Sequence, residues 1–324
     1  MLVTSIATGV GAALGTRQSL ATEVASPRQP SPQQRTNALR VAHLTDMHVK
    51  PEGKGSEGYA KALRSLAQIN PAPQLLITGG DHVMDVLASS RQAADSQWDL
   101  YAKILWENTR LKTYPVVGNH DVWGWGAKEN YDDENDFGKA MTLDRLKLSQ
   151  GYYSFDAGAW HFIVLDNIAR RGKTYYGDLD AEQTEWLKAD LAGNAEVNGG
   201  AGEKPVCVIS HIPLVSICAL FFAYGNKPEG KPRQFWRVGD NLLHRDVKPL
   251  LQILAAGNVK LCISGHIHLL DHVEYMGMHF ICDGAVSGHW WGGAFQEVAE
   301  GYGVFDLFSN GTFEHQYVTY GWEA

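Results

Sequence analysis

Five short segments carry side chains that could do chemistry together. They are Asp46-Met47-His48, Gly80-Asp81, Gly118-Asn119-His120-Asp121, His211 within Ser-His-Ile-Pro, and Gly265-His266-Ile267-His268. Asp46, His48, Asp81, Asn119, His211, His266 and His268 offer carboxylate, amide-oxygen and imidazole donors and no thiolate. Such a set suits divalent or trivalent first-row metals such as Mn, Fe or Zn. Seven donors exceed what a tetrahedral catalytic zinc uses, about three protein ligands and a water. They suit two cations ~3.5–4 Å apart that share one bridging carboxylate. Singly the segments say little. A D-x-H is common by chance, a lone histidine on an apolar strand is usually a packed core residue, and G-D is nearly meaningless. All five in this order argue strongly against a purely structural origin.

Each segment directly follows an apolar, strand-like run. Leu39–Thr45 ends at Asp46, Gln74–Thr78 at Gly79-Gly80-Asp81, Tyr114–Val117 at the Gly118 segment, Val206–Ser210 at His211, and Val259–Ser264 at Gly265. In open α/β sheets the site lies beyond the carboxyl ends of the strands, so segments more than two hundred residues apart can converge on one crevice. In the D-x-H and H-x-H pairs, extended backbone past a strand would send alternate side chains to the same side. Helical spacing over Glu57–Ile69, Ser90–Arg110, Ala181–Leu191 and Asn241–Ala256 alternates with the strands, which predicts an α/β fold. Tyr152–Asp156 and Trp160–Asp166 read as an antiparallel hairpin, and the chain after His272 is all strand-like. Val122–Gly138 and Leu214–Gly239 are long loops, of the kind that usually serve function.

The 324 residues are 44% hydrophobic and 20% charged, an ordinary globular balance. No apolar run approaches the ~20 residues a membrane helix needs. The net charge is −8. Arg17, Arg28 and Arg35 against Glu23 leave residues 1–37 at +2, so residues 38–324 carry −10. No Lys or Arg follows Lys260, against eight carboxylates. That charge makes nucleic acid and anionic membrane surfaces poor partners. Cys207, Cys218, Cys262 and Cys282 show no C-x-x-C spacing and read as buried small hydrophobes. Residues 1–37 form a signal-like segment and linker. Leu2–Gly15 is weakly apolar, Ser19-Leu20-Ala21 offers a small-x-small cleavage site, and a Pro-containing polar stretch follows. The expectation is export to a periplasmic or extracellular location, although no basic residue precedes the apolar run.

The motif series resembles that of the calcineurin-like metallophosphoesterase superfamily, D-x-H, G-D, G-N-H-[DE], H and G-H-x-H, matched here over residues 39–268. The resemblance implies a four-layer α/β/β/α sandwich with two mixed β-sheets over residues 38–324. It also implies two metal ions: Asp46, His48 and His268 would hold one, Asn119, His211 and His266 the other, and Asp81 would bridge. His120 would face the phosphoryl group or the departing oxygen, with Asp121 supporting it. The implied reaction is hydrolysis of a P–O ester bond by a hydroxide held between the cations. Purple acid phosphatases carry a Tyr three residues after the bridging Asp; Met84 stands there, which argues against a phenolate-bound Fe(III). The G-N-H-D form and the length instead resemble the bacterial class III cyclic-nucleotide phosphodiesterase-like branch.

Around these motifs several readings stay open. Trp123, Trp125, Trp290 and Trp291 could stack on a base or sugar, or pack under long loops. His82 could support the metal site or be a loop histidine. Asn167 reads as a loop cap, and Asp132, Asp133, Glu134 and Asp136 as a solvated face. The expected substrate is a small phosphodiester. A phosphomonoester, a nuclease or lipid-type diester, and a metal-binding scaffold without catalysis are the alternatives. Oligomeric state is not legible.

Overall fold

The computed structural model describes residues 38–197, 204–222 and 237–324. The signal-like segment, and Lys227, Lys231 and Arg233 of the second long loop, lie outside the described residues. The described residues open with β1 (Leu39–Leu44), α1 (Gly55–Leu66), β2 (Leu75–Thr78), α2 (Arg91–Asn108) and β3 (Lys112–Pro115). A short α3 (Lys139–Leu146) leads to two hairpins, β4 (Tyr153–Ala157) with β5 (Trp160–Val164), and β6 (Ile168–Arg171) with β7 (Thr174–Gly177). Then come α4 (Ala181–Val197), β8 (Val206–Ile209), α5 (Val247–Ala256), β9 (Val259–Ser264), β10 (Asp271–Tyr275), β11 (Met278–Cys282), β12 (Gly301–Leu307) and β13 (Phe313–Thr319).

Two large mixed sheets result. One runs β13-β12-β1-β2-β3, the other β10-β11-β9-β8-β5-β4. In the first, β1, β2 and β3 are parallel while β12 and β13 run antiparallel. In the second, β5, β8, β9 and β11 are parallel, flanked by antiparallel β4 and β10.

Period-two alternation explains the layers. Val41, Leu75 and Ile77 join Phe162, Val164, Cys207, Ile209, Leu261 and Ile263 in one core between the sheets. Their neighbours Ala42, Leu44 and Leu76 face the other way, onto Tyr59, Leu63, Trp98 and Tyr101 of α1 and α2. Ile163, Val206, Val208 and Cys262 likewise face Leu187 and Leu191 of α4 and Leu250, Leu251 and Leu254 of α5. Helices, sheet, sheet and helices therefore stack as the expected α/β/β/α sandwich. Strands buried on both faces, such as the wholly buried LLIT of β2, read as continuous apolar runs. The four cysteines are buried and free.

Candidate metal centre

The site is built where strands of both sheets end. The segments after β1 and β2 run side by side: Asp46 N donates to Gly80 O at 3.0 Å, and His48 N to Asp81 O at 3.0 Å. The extended backbone expected for the D-x-H and H-x-H pairs is not what forms. Asp46, His48, Asp81, His266 and His268 all have left-handed φ, between 44° and 70°. The middle residues Met47 and Ile267 are buried in the apolar core, 0% and 3% exposed. The chain must drop one side chain into the core while turning the flanking pair over the sheet edge, and the left-handed torsions do that. Non-glycine residues adopt such torsions rarely, and the strain concentrates at functional sites. Gly118 is required for a different reason: a Cβ there would lie 2.1 Å from the amide nitrogen of Asp81.

The side chains gather in two groups, Asp46, His48 and His268, and Asp81, His211 and His266, each with donor atoms mutually within 4.8 Å. Backbone carbonyls fix which nitrogen each ring presents. His48 Nδ1 faces Met84 O at 3.2 Å, His268 Nδ1 faces Gly288 O at 2.8 Å, and His211 Nδ1 faces Gly79 O at 2.8 Å. His266 Nε2 faces Asn241 O at 2.8 Å. A carbonyl only accepts, so each of these nitrogens donates, and in the neutral ring, the form that ligates a metal, the other nitrogen carries a lone pair. Nε2 of His48 and Nε2 of His268 then point lone pairs at one another across 3.1 Å. The buried Asp46 Oδ1, beside His268 Nε2 at 3.2 Å, has no hydrogen-bond partner. Electron-rich atoms converging without a donor fit a cation. In the second group His211 Nε2 lies 3.0 Å from Asn119 Oδ1 and 3.2 Å from Asp81 Oδ2. Asp81 Oδ2 is also 3.8 Å from His48 Nε2, so this carboxylate reaches both groups.

The electrostatics reflect that crowding. Burial pushes His48 down to about 3 and His266 down to about 4. Burial also opposes charge on His211, but the Asp81 charge and hydrogen bond outweigh it and push the ring up to about 9. Burial would raise Asp46, yet the facing His268 holds it well below the usual carboxylate range.

His120 stands at the opening, with its side chain 28% exposed and its ring 5.0 Å from that of His48. Its backbone amide donates to Asp81 Oδ1 at 2.8 Å. Burial opposes protonation, but the charges of Asp81 and Asp85 raise the ring to about 9. The sequence reading paired His120 with Asp121, and here the structure corrects it. The carboxylate beside the His120 ring is Asp85, with Oδ1 3.6 Å from Nδ1. Asp121 is fully buried and points the other way. It accepts from the amides of Gly118 (2.9 Å), Asp81 (3.0 Å) and His82 (2.8 Å), and from His82 Nδ1 (2.8 Å). It clamps the loop bearing Asp81 against the loop bearing Asn119.

Residues 39–270 match the calcineurin-like phosphoesterase family. The chain belongs to that family. Among its described residues are two candidate ligand groups for metal ions. Among solved structures, a dimetal phosphatase from Danio rerio superposes with a TM-score of 0.57 at 15% identity, over 83% of this chain and 93% of that one. GAP50, the anchor in the inner membrane complex of Plasmodium, superposes with 0.53 at 17% identity, over 87% and 85%. A phosphatase and an anchor share this fold, so the argument for activity rests on the site. Purple acid phosphatase 15 of Arabidopsis thaliana is 32% identical over 106 residues, 30% of this chain but only 17% of that protein.

The remaining candidates of this phosphoesterase fall on both sides. Trp123 and Trp125 are buried and pack against the protein itself. Trp291 is partly buried against α1, and Trp290 alone of the four is exposed beside the site. His82 lies beneath it, bonded to Asp121 and to Thr78 Oγ1 at 2.9 Å. Asn167 holds the loop after His211 through both its amide atoms and the backbone of Ile212. Asp132 and Asp136 pair with Arg170 and Arg91 on the surface. Sequence reasoning missed Asp85, which belongs to no motif, and Tyr175 of β7, whose ring meets His266 edge-on at 6.1 Å. Only the hairpin fold brings Tyr175 near.

Proposed function

We propose that this phosphoesterase hydrolyses small phosphodiesters, using two first-row metal ions for which Asp81 is the shared ligand. Asp46, His48 and His268 complete one site, and Asn119, His211 and His266 the other. The observation that carries the reading is the Asp81 carboxylate, 3.8 Å from His48 Nε2 and 3.2 Å from His211 Nε2. When bound, two such cations supply an activated water and neutralise phosphoryl charge. The chain's own residues do the rest. His120, open to solvent and braced by Asp85, donates a proton to the departing oxygen, a step typically worth ~10²–10⁴ in rate.

The diester preference follows from charge. A monoester is a dianion near neutral pH, a diester a monoanion. Residues 38–324 carry −10, and the last sixty-four lack any Lys or Arg. Little cationic help exists there for a second negative charge, and the same shortage disfavours long polyanions. The test is kcat/KM for bis(4-nitrophenyl) phosphate against 4-nitrophenyl phosphate with the same metal. The diester is expected to win. A tenfold preference for the monoester, about 1.4 kcal/mol in barrier, reverses the choice.

A further inference from the structure

One large aromatic ring beside the candidate metal ligands stays partly exposed, and the loop between β11 and β12 is built to hold it there. Trp290 is 43% exposed, yet its ring lies 4.9 Å from that of His268 and 5.9 Å from that of His48. Phe295 backs it at 6.2 Å and also meets His268, at 5.9 Å. Leaving so large an apolar ring half in water forgoes the stabilisation its burial would bring.

The loop does not hang free. Gly288 O accepts from His268 Nδ1 at 2.8 Å, and Trp291 Nε1 donates to His48 O at 3.0 Å. The Trp291 indole fills a slot over α1 that exists only because residues 55 and 58 are glycine. A Cβ on Gly58 would sit 2.2 Å from that ring. Trp290 and Trp291 both hold left-handed φ, 47° and 71°, which bulky residues almost never adopt. Anchoring of Trp291 thus sustains a strained backbone whose result is the outward ring of Trp290 over two candidate metal ligands.

We propose that Trp290 determines substrate specificity by stacking on a planar aromatic substituent of the ester group that stays on phosphorus. The proposal rests on the diester reading. His48 is in ring contact with His120 on one hand, at 5.0 Å, and with Trp290 on the other. The departing oxygen goes to His120, so a group lying on Trp290 belongs to the other ester arm. Stacking of a flat group on an exposed indole needs only a π-face, whatever the group's identity.

The experiment compares wild type, Trp290→Ala and Trp290→Phe, all metal-loaded, on bis(4-nitrophenyl) phosphate and methyl 4-nitrophenyl phosphate. The leaving group is the same and only the retained arm differs. Trp290→Ala is expected to lower the aryl-to-methyl ratio of kcat/KM about tenfold, mainly through KM, and Trp290→Phe to recover most of it. A second readout needs no turnover: the ratio of dissociation constants for phenylphosphonate and methylphosphonate, measured by titration calorimetry, should shrink in the same proportion. Unchanged ratios in Trp290→Ala overturn the proposal. So does an equal loss on both substrates, which makes Trp290 a support for the loop. Wild type that prefers monoesters tenfold, with a phosphonate ratio that still depends on Trp290, defeats the diester reading and leaves the stacking face standing.

Discussion

Asp81 is the residue on which the centre depends, because its carboxylate is the one that reaches both ligand groups. Asp81→Ala should therefore lower metal content from about two ions per chain to below one, not merely by one. Elemental analysis after loading and desalting checks this, and retention of two ions would remove Asp81 from the shared position. His120 makes a different forecast. A proton donor matters most when the leaving group is poor, so His120→Ala should cost ~10²-fold or more on alkyl esters and far less on nitrophenyl esters. Equal losses would make it a binding residue. At this scale the donor types were legible because metals demand them, whereas directions were not. Asp121 follows His120 in sequence, yet its carboxylate turns into the protein to accept from Gly118 of its own loop and from Asp81 and His82 of the neighbouring one, while Asp85 arrives from another segment. Nor could the sequence tell Trp290 from three other loop tryptophans, since exposure is decided by what packs nearby.

At the level of elements, the strands that end in motifs were readable from their apolar runs, and what escaped has identifiable causes. The helix expected over Asn241–Ala256 begins only at Val247. Pro249 lacks an amide donor and is tolerated only in a first turn, and Asp246 before the helix is left-handed. The short α3 enters through Gly138 with positive φ and no capping side chain, so no start signal announces it. The β6–β7 hairpin carries two exposed arginines and two half-buried tyrosines and shows no buried alternation. One link between elements was also invisible. His43 of β1 and His315 of β13, from one sheet, both bind Asp283, which follows β11 of the other, at 2.7 and 2.8 Å. Burial would raise the Asp283 carboxyl, but the facing imidazoles hold it below its ordinary value. A depressed carboxylate stabilises the fold above the unfolded pKa of ~3.9, and that contribution is lost as pH falls through the folded value. Asp283→Asn should thus be less stable than wild type at neutral pH, by about 1–3 kcal/mol. The gap should begin to narrow below about pH 4 and close as pH falls through the folded value, as followed by denaturant titration across pH. A gap that stays constant into acid would show that the carboxylate charge plays no part.

For the molecule as a whole, the notable property is that each ligand group straddles the sandwich. Asp46 and His48 follow β1, and Asp81 follows β2, in one sheet; His211 follows β8, and His266 and His268 follow β9, in the other. Bound cations would bind the folded state and tie the two sheets together, so they should raise its stability by mass action, about 2.7 kcal/mol at a hundredfold excess over Kd. For a chain of this size that is roughly 4 °C in Tm. Chelation should lower Tm by that order and re-addition of Mn²⁺ should restore it, as read by calorimetry. A Tm indifferent to chelator would mean that the two groups do not hold metal across the sheets.

The left-handed torsions at Asp46, His48, Asp81, His266 and His268 have a consequence for how this chain would respond to laboratory evolution. A selection for thermal endurance run in chelator and blind to turnover would be free to place glycine at these five positions, because glycine relaxes the torsion that aspartate and histidine must endure. Hardened descendants should therefore emerge dead at the centre and otherwise intact. That these five positions carry candidate metal ligands in place of glycine is what selection for chemistry over durability would leave.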